Sequence, residues 1–340
     1  MLINETKWQA ADFASWSASG DAQHIVVVKQ SYEFDSQGKL CPLSQAPDLQ
    51  SGDEFNGEGA AQYLTAANEL VPYKQGIEIY GNFTAYPPKG QAVRVIETQL
   101  QLSDGEGKTL LNKVLRVTGQ RQWRRSLLGP VASEPAYLQP LTMTYDNAFG
   151  GQSSGSKAEF SAENPAGKGY KLSNRDAIGS PLPQIEYAHS QYRKPSHNAL
   201  VAGYGPLPLH WAPRVNQLPK INEAKLMLGE FPYSKALADD FYNYAPRDQI
   251  VTAPFAPNWQ LRLSGFVAEL SYQHALTLKL PFEPPELSVH SGLQSIALDM
   301  KCDTLVVDTE AQRLSLIWRC GFARAQIKAN SHIVLTQQGG

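Results

Sequence analysis

Two runs of alternating apolar and polar residues, joined by an Asp-Gly turn, constrain the fold of this chain more than any other feature of its sequence. The first run spans residues 93–102, the second spans residues 109–117, and Asp104 and Gly105 lie between them. Alternation with a period of two predicts strands that bury one face. An Asp-Gly turn between such runs is typical of a β-hairpin, because glycine accepts the positive φ that the turn needs. The sequence therefore predicts an antiparallel hairpin.

The same alternation recurs near both ends of the chain. Residues 24–34 place apolar side chains on one face, interrupted only by Gln30, with Lys29, Ser31 and Glu33 on the opposite face. Matching patterns in the C-terminal third span residues 261–270, 276–282, 304–307 and 313–320. Half-buried strands of this kind build antiparallel sheets. We expect a mainly β fold, with antiparallel sheets in a sandwich or barrel-like arrangement and few short helices.

Helical spacing is limited to residues 58–68 and 234–244, and the second segment ends before Pro246, because the residue preceding a proline disfavours helical geometry. Between about residues 150 and 219, Gly, Pro, Ser and Asn dominate and apolar periodicity disappears. A structureless stretch this long is unusual unless it binds a partner or covers the sheets. We predict an N-terminal β region (1–140), a central Gly/Pro-rich loop and short-helix region (141–250) and a C-terminal β region (251–340), or one continuous domain with these parts.

The charge balance argues against nucleic acid as a partner. Lys and Arg total 30 against 32 Asp and Glu, and the densest basic cluster, Arg121, Arg124 and Arg125 around Trp123, is short for a phosphate-binding surface. The three cysteines and the histidines lack metal-site spacing, and an odd number of cysteines fits a reducing compartment. The first residues show no signal-peptide pattern, and no apolar run approaches the roughly 20 residues of a membrane helix. We expect a cytoplasmic protein without metal, cofactor or membrane insertion.

One segment of the central region matches a catalytic pattern. Residues 151–155 read Gly-Gln-Ser-Ser-Gly, which is the G-x-S-x-G spacing of a nucleophile elbow centred on Ser153. A true elbow lies between an apolar strand and a helix, and here polar residues flank the pattern on both sides. His189 or His197 would be the candidate base, although nothing in the sequence brings either close to Ser153. A flexible Gly/Ser loop is the simpler interpretation.

A proline-rich aromatic segment of the central region is the best candidate for a partner-binding surface. Residues 203–214 read GYGPLPLHWAPR, in which prolines stiffen an extended path and so reduce the entropy lost on association. Large aromatic residues and arginine are enriched at interface hot spots. In the alternative interpretation, Trp211 fills the core and Arg214 pairs with a carboxylate. We predict partner-binding roles for Tyr145, Phe149, Tyr204, Trp211 and Arg214.

The glycine pair Gly150-Gly151 is predicted to form a turn with positive φ, which costs a residue with a Cβ roughly 1 kcal/mol or more. It ends the segment 145–151, which is similar to the Tyr-x-x-Ala-Phe-Gly-Gly signature of a known family. Asn164 and Pro165, which we also assign to structural turns, begin a segment similar to that family's Asn-Pro-x-Gly-x-Gly. Further similar segments are ELVPYK (69–74), GQRQW (119–123), LPQIE (182–186), GYGP (203–206), WAPR (211–214), DFYNYAPRDQ (240–249), DTL (303–305) and WR (318–319).

Together these segments, from about residue 24 to residue 319, resemble the domain-of-unknown-function family encoded beside type VI secretion spike and effector genes. The resemblance implies a non-enzymatic adaptor or chaperone that binds a protein effector and helps load it onto a VgrG/PAAR spike component. It supplies no catalytic residues. One departure is that Lys-Ile-Asn-Glu-Ala at 220–224 occupies a region where the family often has Gly-Thr-Tyr-Asp. If that segment contacts the cargo, the partner of this chain differs from the usual one.

Two other classes of function remain open. The first is a hydrolase that uses the central loop, which a serine within hydrogen-bond reach of a histidine would favour. The second is a carbohydrate-binding β module, which a shallow groove lined with aromatic residues and carboxylates would favour. A gene for a spike protein or toxin beside the gene for this chain would favour the adaptor.

Overall fold

Strands dominate the computed structural model, which describes residues 1–218, 237–268, 275–328 and 330–337. Two short α-helices lie in this part of the chain, α1 (Asn174–Ala177) and α2 (Ala212–Val215), and 3-10 turns lie at Gly59–Ala61, Tyr145–Asn147, Arg247–Gln249 and Arg324–Gln326. The strands are β1 (Leu2–Asn4), β2 (Gln9–Trp16), β3 (Ala22–Phe34), β4 (Leu40–Pro42), β5 (Glu54–Asn56), β6 (Tyr63–Ala66), β7 (Ile77–Asn82), β8 (Thr84–Ala85), β9 (Val95–Ser103), β10 (Thr109–Thr118), β11 (Trp123–Ser126), β12 (Gly129–Ala132), β13 (Leu141–Thr142), β14 (Phe149–Gly150), β15 (Lys168–Gly169), β16 (Ile185–Glu186), β17 (Ile250–Val251), β18 (Gln260–Ser264), β19 (Leu276–Lys279), β20 (Glu286–Ser291), β21 (Gln294–Leu298), β22 (Lys301–Asp308), β23 (Arg313–Ala323) and β24 (Ser331–Thr336).

Three sheets build the frame of the molecule. A seven-stranded sheet has the order β17-β7-β22-β23-β3-β2 with β4 beside β3, a five-stranded sheet has the order β16-β10-β9-β18-β19, and a four-stranded sheet has the order β1-β24-β20-β21. Most neighbours are antiparallel, whereas β7 with β22 and β1 with β24 are parallel. All three sheets contribute to one hydrophobic core. The predicted mainly β fold of antiparallel sheets is confirmed, and the described sheets are open rather than closed into a barrel.

The predicted hairpin is confirmed. Strands β9 and β10 pair antiparallel around the turn, and their alternate apolar residues lie in the main core. Asp104 holds the turn, because its Oδ1 accepts the backbone N–H of Glu106 at 3.0 Å and of Lys108 at 2.9 Å. The positive φ of 83° falls on Gly107 rather than on Gly105. The turn therefore uses the second glycine of Asp-Gly-Glu-Gly.

The prediction that β3 buries only one face is wrong. Its apolar face lies in the main core as expected, and there Gln30 accepts a hydrogen bond from the Trp318 indole at 2.9 Å and donates to the Glu283 carbonyl at 2.7 Å. The opposite face is also covered, because Lys29 binds Glu69 at 2.8 Å and the cluster of Ile25 and Val27 packs against Leu70. The covering segment is distant in sequence, so alternation in β3 alone does not reveal it.

The predicted helix over residues 58–68 is also wrong. A single 3-10 turn at Gly59–Ala61 leads into strand β6, which pairs with β5. The Asn56 amide donates to the Tyr63 hydroxyl at 2.9 Å across this pair, and Gly59 adopts a positive φ of 54° that interrupts a helix. Of the second predicted helix, residues 234–236 lie outside the described residues, and residues 237–244 form turns.

The outer thirds of the chain share their sheets. Strand β9 pairs with β18, β3 with β23, and β7 with β22, so that N-terminal and C-terminal strands alternate within the same sheets. This pairing favours one continuous domain over the three-part division, which stays a prediction. Among the described helices, none has the length and apolar character needed to cross a membrane.

Candidate functional site

The aromatic residues predicted to form an exposed partner surface lie in the interior. Tyr145, Phe149, Tyr204 and Trp211 are all buried, and so is Arg214. Their burial favours the alternative interpretation, in which they fill the core, and the partner-binding roles stay a prediction. The central region lacks periodicity because it covers the sheets, and its large side chains fill the space beneath it.

Trp211 fills a small core, as the alternative interpretation proposed. It packs edge-on against Tyr145 with ring centroids 5.1 Å apart, and Tyr63 and Leu207 complete the cluster. The Tyr145 hydroxyl donates to the carbonyl of Gly205 at 2.9 Å, and burial raises the pKa of that hydroxyl far above its usual range. The cluster thus joins the 3-10 turn at residues 145–147 to the proline-rich segment.

Tyr204 and Phe149 pack in two different places. The Tyr204 ring packs edge-on against Phe266 in the main core, and its hydroxyl lies 3.1 Å from the side chain of Thr98. Phe149 packs instead with Trp123 and Tyr192 beneath the 170–182 segment. The five candidates therefore do not form one surface.

Arg214 holds the proline-rich segment against its neighbour. Its guanidinium donates to the Leu207 carbonyl at 2.9 Å and to the Phe241 carbonyl at 3.3 Å, and it lies 4.0 Å from the centre of the Tyr244 ring. Within the described residues its partners are therefore carbonyls and an aromatic face rather than the carboxylate that the alternative interpretation named.

The glycine turn forms as predicted. Gly150 and Gly151 have positive φ values of 149° and 88°. A Cβ on Gly150 would lie 2.1 Å from the Asn164 carbonyl oxygen, so the backbone approach itself excludes a side chain. Asn164 is fully buried, and its amide donates to the carbonyls of Tyr145 at 2.8 Å and Phe149 at 2.9 Å, while Pro165 is buried beside it. Contacts among these four residues stabilise the turn at Gly150 and Gly151.

A cleft of about 730 Å³ offers the best candidate binding site of the described residues. We call it the aromatic cleft. Its walls carry Tyr73, Phe255, Phe282 and Trp318, and prolines at positions 72, 254 and 284 flank them. Phe255 packs edge-on against Trp318 with ring centroids 5.8 Å apart, and Phe282 lies 6.1 Å from the same indole. Proline-flanked rings that support one another give a wall with little conformational freedom.

A β-bulge places the charged floor of this cleft. The register between β22 and β23 shifts between Cys302 and Thr304, which leaves Asp303 outside the regular ladder. Bulges commonly re-aim side chains in this way. Asp303 Oδ2 accepts a hydrogen bond from Arg319 Nε at 2.7 Å, and Arg319 also donates to the Glu69 carbonyl at 3.1 Å. The pair is buried, so each charge depends on the other for its neutralisation.

A second buried pair continues the floor. Lys74 contacts the Glu78 carboxylate, and its Nζ donates to the Thr304 hydroxyl at 2.9 Å. The other Glu78 oxygen accepts the backbone N–H groups of Tyr244 at 2.7 Å and Ala245 at 2.9 Å. The carboxylates of Asp303 and of Glu78, which lies next to the cleft, are therefore bound by fixed donors. Because these carboxylates already accept several hydrogen bonds, they stabilise the structure around the cleft rather than acting as free acids or bases.

The Cys302 thiol, which lines the cleft, is a poor candidate for a nucleophile. Burial raises the pKa of the Cys302 thiol well above its usual range, with the Asp303 charge adding to the shift. The reactive form of a cysteine is the thiolate. A thiol held protonated in this way is unsuited to nucleophilic attack, and within the described residues no cluster of His, Cys, Asp and Glu side chains has the arrangement of a metal site.

The G-x-S-x-G loop has a different structure from a nucleophile elbow. Gln152 and Phe160 form a bridge across it, and the Ser153 hydroxyl accepts the backbone N–H of Glu159 at 2.8 Å. A serine–histidine contact does occur elsewhere, between Ser288 and His290 at 2.8 Å on strand β20. These residues lie two apart on one strand face and do not line the aromatic cleft. The central-loop hydrolase therefore gains no support from this contact.

Several segments distant in sequence meet at the aromatic cleft. Residues 69–74, 303–305 and 318–319, all part of the family resemblance, supply its floor and one wall. Sequence reasoning did not find Phe255 and Phe282. Each is a phenylalanine flanked by prolines, in Ala-Pro-Phe-Ala-Pro and Pro-Phe-Glu-Pro-Pro, which is the same signal that drew attention to residues 203–214. The departure at 220–224 lies outside the described residues.

The fold and the cleft define a mainly β protein with a candidate binding site walled by aromatic residues. The chain belongs to the family described as an uncharacterized protein conserved in bacteria, DUF2169, whose model matches residues 19–319. No curated protein and no solved structure gives a significant match to the chain.

Proposed function

We propose that this chain is a non-enzymatic adaptor that binds a segment of a protein effector in the aromatic cleft. The observation that carries the proposal is the pairing of a rigid aromatic and proline wall with the buried Asp303–Arg319 ion pair at the floor, while the exposed Asp239 and Lys301 also line the cleft. Such a site recognises apolar and aromatic side chains, because it offers them a preordered ring surface. The resemblance to type VI secretion adaptors supports the finer proposal, in which the effector is loaded in the cytoplasm onto a VgrG/PAAR spike component.

The walls suit an extended segment better than a folded surface. Prolines on both sides fix the backbone around Phe255 and Phe282, so little entropy is lost when a partner binds. Phe282 is 36% exposed and is thus the wall ring most available to a partner. Gln30 holds the segment that carries it, through the bond to the Glu283 carbonyl.

Co-purification with effectors encoded beside the gene for this chain tests the proposal. We expect the wild-type protein to retain such an effector and Phe282→Ala to weaken binding by more than tenfold, which is the effect of losing about 2 kcal/mol at an interface anchor. Phe55→Ala is the matched control, because Phe55 is 43% exposed and lies outside the cleft. Unchanged affinity for Phe282→Ala would exclude the cleft as the site. Failure of the wild type to retain any neighbouring effector would exclude the adaptor.

A carbohydrate-binding module is the second candidate, because Asp239 and Asp303 join the aromatic residues in lining this cleft. Asp303 is bound to Arg319, and Trp318 is buried against the neighbouring rings, so both have little surface left for a sugar. A glycan array would separate the two functions. Saturable binding of one glycan, lost in Phe282→Ala, would favour the carbohydrate module.

A further inference from the structure

The β11–β12 hairpin presents an apolar tip to solvent. Leu127 and Leu128, at the turn, are fully exposed, and Val131 on β12 is half exposed. The tip is nevertheless held in place, because the Ser126 hydroxyl donates to the Gly129 carbonyl at 2.7 Å and accepts the Leu128 N–H at 3.2 Å. Neighbouring exposed apolar side chains of this kind mark interaction sites more often than scattered single ones do.

The strand that leads to this tip is basic. Arg124 and Arg125 are exposed on β11, directly before Ser126. Trp123 at the base of the strand is buried edge-on against Tyr192, with ring centroids 5.6 Å apart, and so fixes the hairpin to the body of the molecule. The tip therefore combines apolar surface with two cations on a fixed support.

A basic cleft of about 660 Å³ adjoins the hairpin and shares Arg124 with it. Arg94, Arg121 and Lys168 also line it, whereas Glu134 is the acidic residue of its lining. Burial lowers the pKa of Arg121 and of Lys168, because both cations lose solvent there. A cleft with this excess of cations attracts carboxylates.

The charge beneath this cleft is incompletely neutralised. Glu186 Oε2 accepts from Arg121 at 2.9 Å and from Arg116 at 2.9 Å, so one carboxylate serves two guanidinium groups. The Arg121 side chain is 9% exposed, and its Nε has no hydrogen-bond partner among the described residues. A buried cation that shares its counter-ion leaves a net positive potential at the cleft floor.

We propose that the hairpin tip and the basic cleft form one docking surface for an acidic segment of a partner protein that also carries apolar side chains. Carboxylates of the partner enter the basic cleft, and its apolar side chains cover Leu127 and Leu128. This surface is separate from the aromatic cleft and does not depend on the function proposed for that cleft. It gives the chain a second contact surface with charge complementary to an acidic partner.

Fluorescence anisotropy with a labelled synthetic peptide, a run of glutamates followed by leucines, tests this surface on the full chain. We expect saturable binding that weakens at least tenfold in Arg124→Glu/Arg125→Glu and in Leu127→Ser/Leu128→Ser. A peptide with glutamine in place of glutamate should bind at least tenfold more weakly. Raising the salt from about 0.1 M to about 1 M should also weaken binding, since the Debye length falls from about 10 Å to about 3 Å.

Leu293→Ser and Arg262→Glu are the matched controls. Leu293 is fully exposed at the turn between β20 and β21, and Arg262 is exposed on β18, and neither lines the basic cleft. Both should bind the peptide as the wild type does. Equal weakening in the controls, or equal affinity of the glutamine peptide, would overturn the proposal.

Vesicles of anionic phospholipid provide the competing test, because arginines beside exposed leucines also suit a lipid surface. Sedimentation of the protein with such vesicles, together with no binding of the acidic peptide, would overturn the proposal in favour of a membrane contact. Peptide binding that depends on both halves of the surface supports it.

Discussion

Replacing Trp211 with alanine tests whether the central aromatic residues support the fold. Trp211 is fully buried and packs against Tyr145, with Tyr63 and Leu207 in the same cluster. Truncation to alanine removes the transfer free energy of the indole and leaves a cavity, which together cost about 3–5 kcal/mol. Because domains are stable by about 5–15 kcal/mol, we expect Trp211→Ala to fold but to be close to its limit of stability.

Denaturant unfolding followed by circular dichroism measures this loss as a lower midpoint at constant slope. Trp211→Phe keeps an aromatic ring against Tyr145, so its free energy of unfolding should fall by less than that of Trp211→Ala. Val215→Ala is the control in the same helix α2, because Val215 is 37% exposed and a surface change of this kind stays within about 0.5 kcal/mol.

Partner binding of the folded Trp211→Ala protein should be close to that of the wild type, since the side chain reaches no surface. The reverse result would refute this reasoning. If Trp211→Ala unfolds at the wild-type midpoint but loses more than tenfold in affinity, then Trp211 acts as an interface anchor, and its burial in the free protein does not describe the complex.

Three further changes test other parts of the structure. Asp303→Asn should lower the free energy of unfolding by on the order of 3–5 kcal/mol, because it leaves the buried Arg319 without its counter-charge, as denaturant titration would show. Gly150→Val should lower the melting temperature more than Gly155→Val, since both have positive φ but only Gly150 meets a backbone oxygen, and equal melting temperatures would contradict this. Burial lowers the pKa of Lys113 from 10.5 to about 8, so between about pH 8 and pH 10.5 the unfolded chain binds more protons than the folded chain, and stability should rise more steeply with pH in the wild type than in Lys113→Met. Parallel unfolding curves against pH would exclude that shift.

The strands were predictable because their signal is local. Alternation placed β9, β10 and one face of β3 and β23 correctly, since one buried face is enough to set a period of two. The second face of the large sheet was not predictable in the same way. Lys29 and Arg319 look like solvent-facing residues in sequence, yet they are buried because Glu69 and Asp303 reach them from other segments. The partners of these ion pairs lie 40 and 16 residues apart in the sequence, so the pairs produce no periodic pattern.

The central aromatic residues were harder to place, because nothing periodic separates a buried ring from an exposed one. Composition and proline content predicted that residues 203–214 form a preordered extended segment. In the structure the Tyr204 and Trp211 side chains of this segment are buried. The same signal at Phe255 and Phe282 leads to a cleft wall. Tyr204 reaches the main core, Trp211 packs in a small cluster with Tyr63, Tyr145 and Leu207, and Phe255 and Phe282 pack against Trp318, and none of these contacts has a local signal in the sequence.

Many of the residues that carry the family resemblance belong to the buried framework of the molecule. Glu69, Tyr145, Asn164, Trp211 and Arg319 belong to the resembling segments, and all are buried in packing or paired charge. The surfaces proposed to contact partners combine side chains of those segments, such as Arg121 and Trp318, with exposed side chains outside them, namely Phe282 in the aromatic cleft and Arg124, Leu127 and Leu128 on the hairpin. Buried positions tolerate few changes because each contact is shared with neighbours, whereas a hairpin tip changes at little cost to the fold. We therefore expect the exposed side chains of the cleft wall and the hairpin, rather than the buried framework, to determine which partner the chain binds.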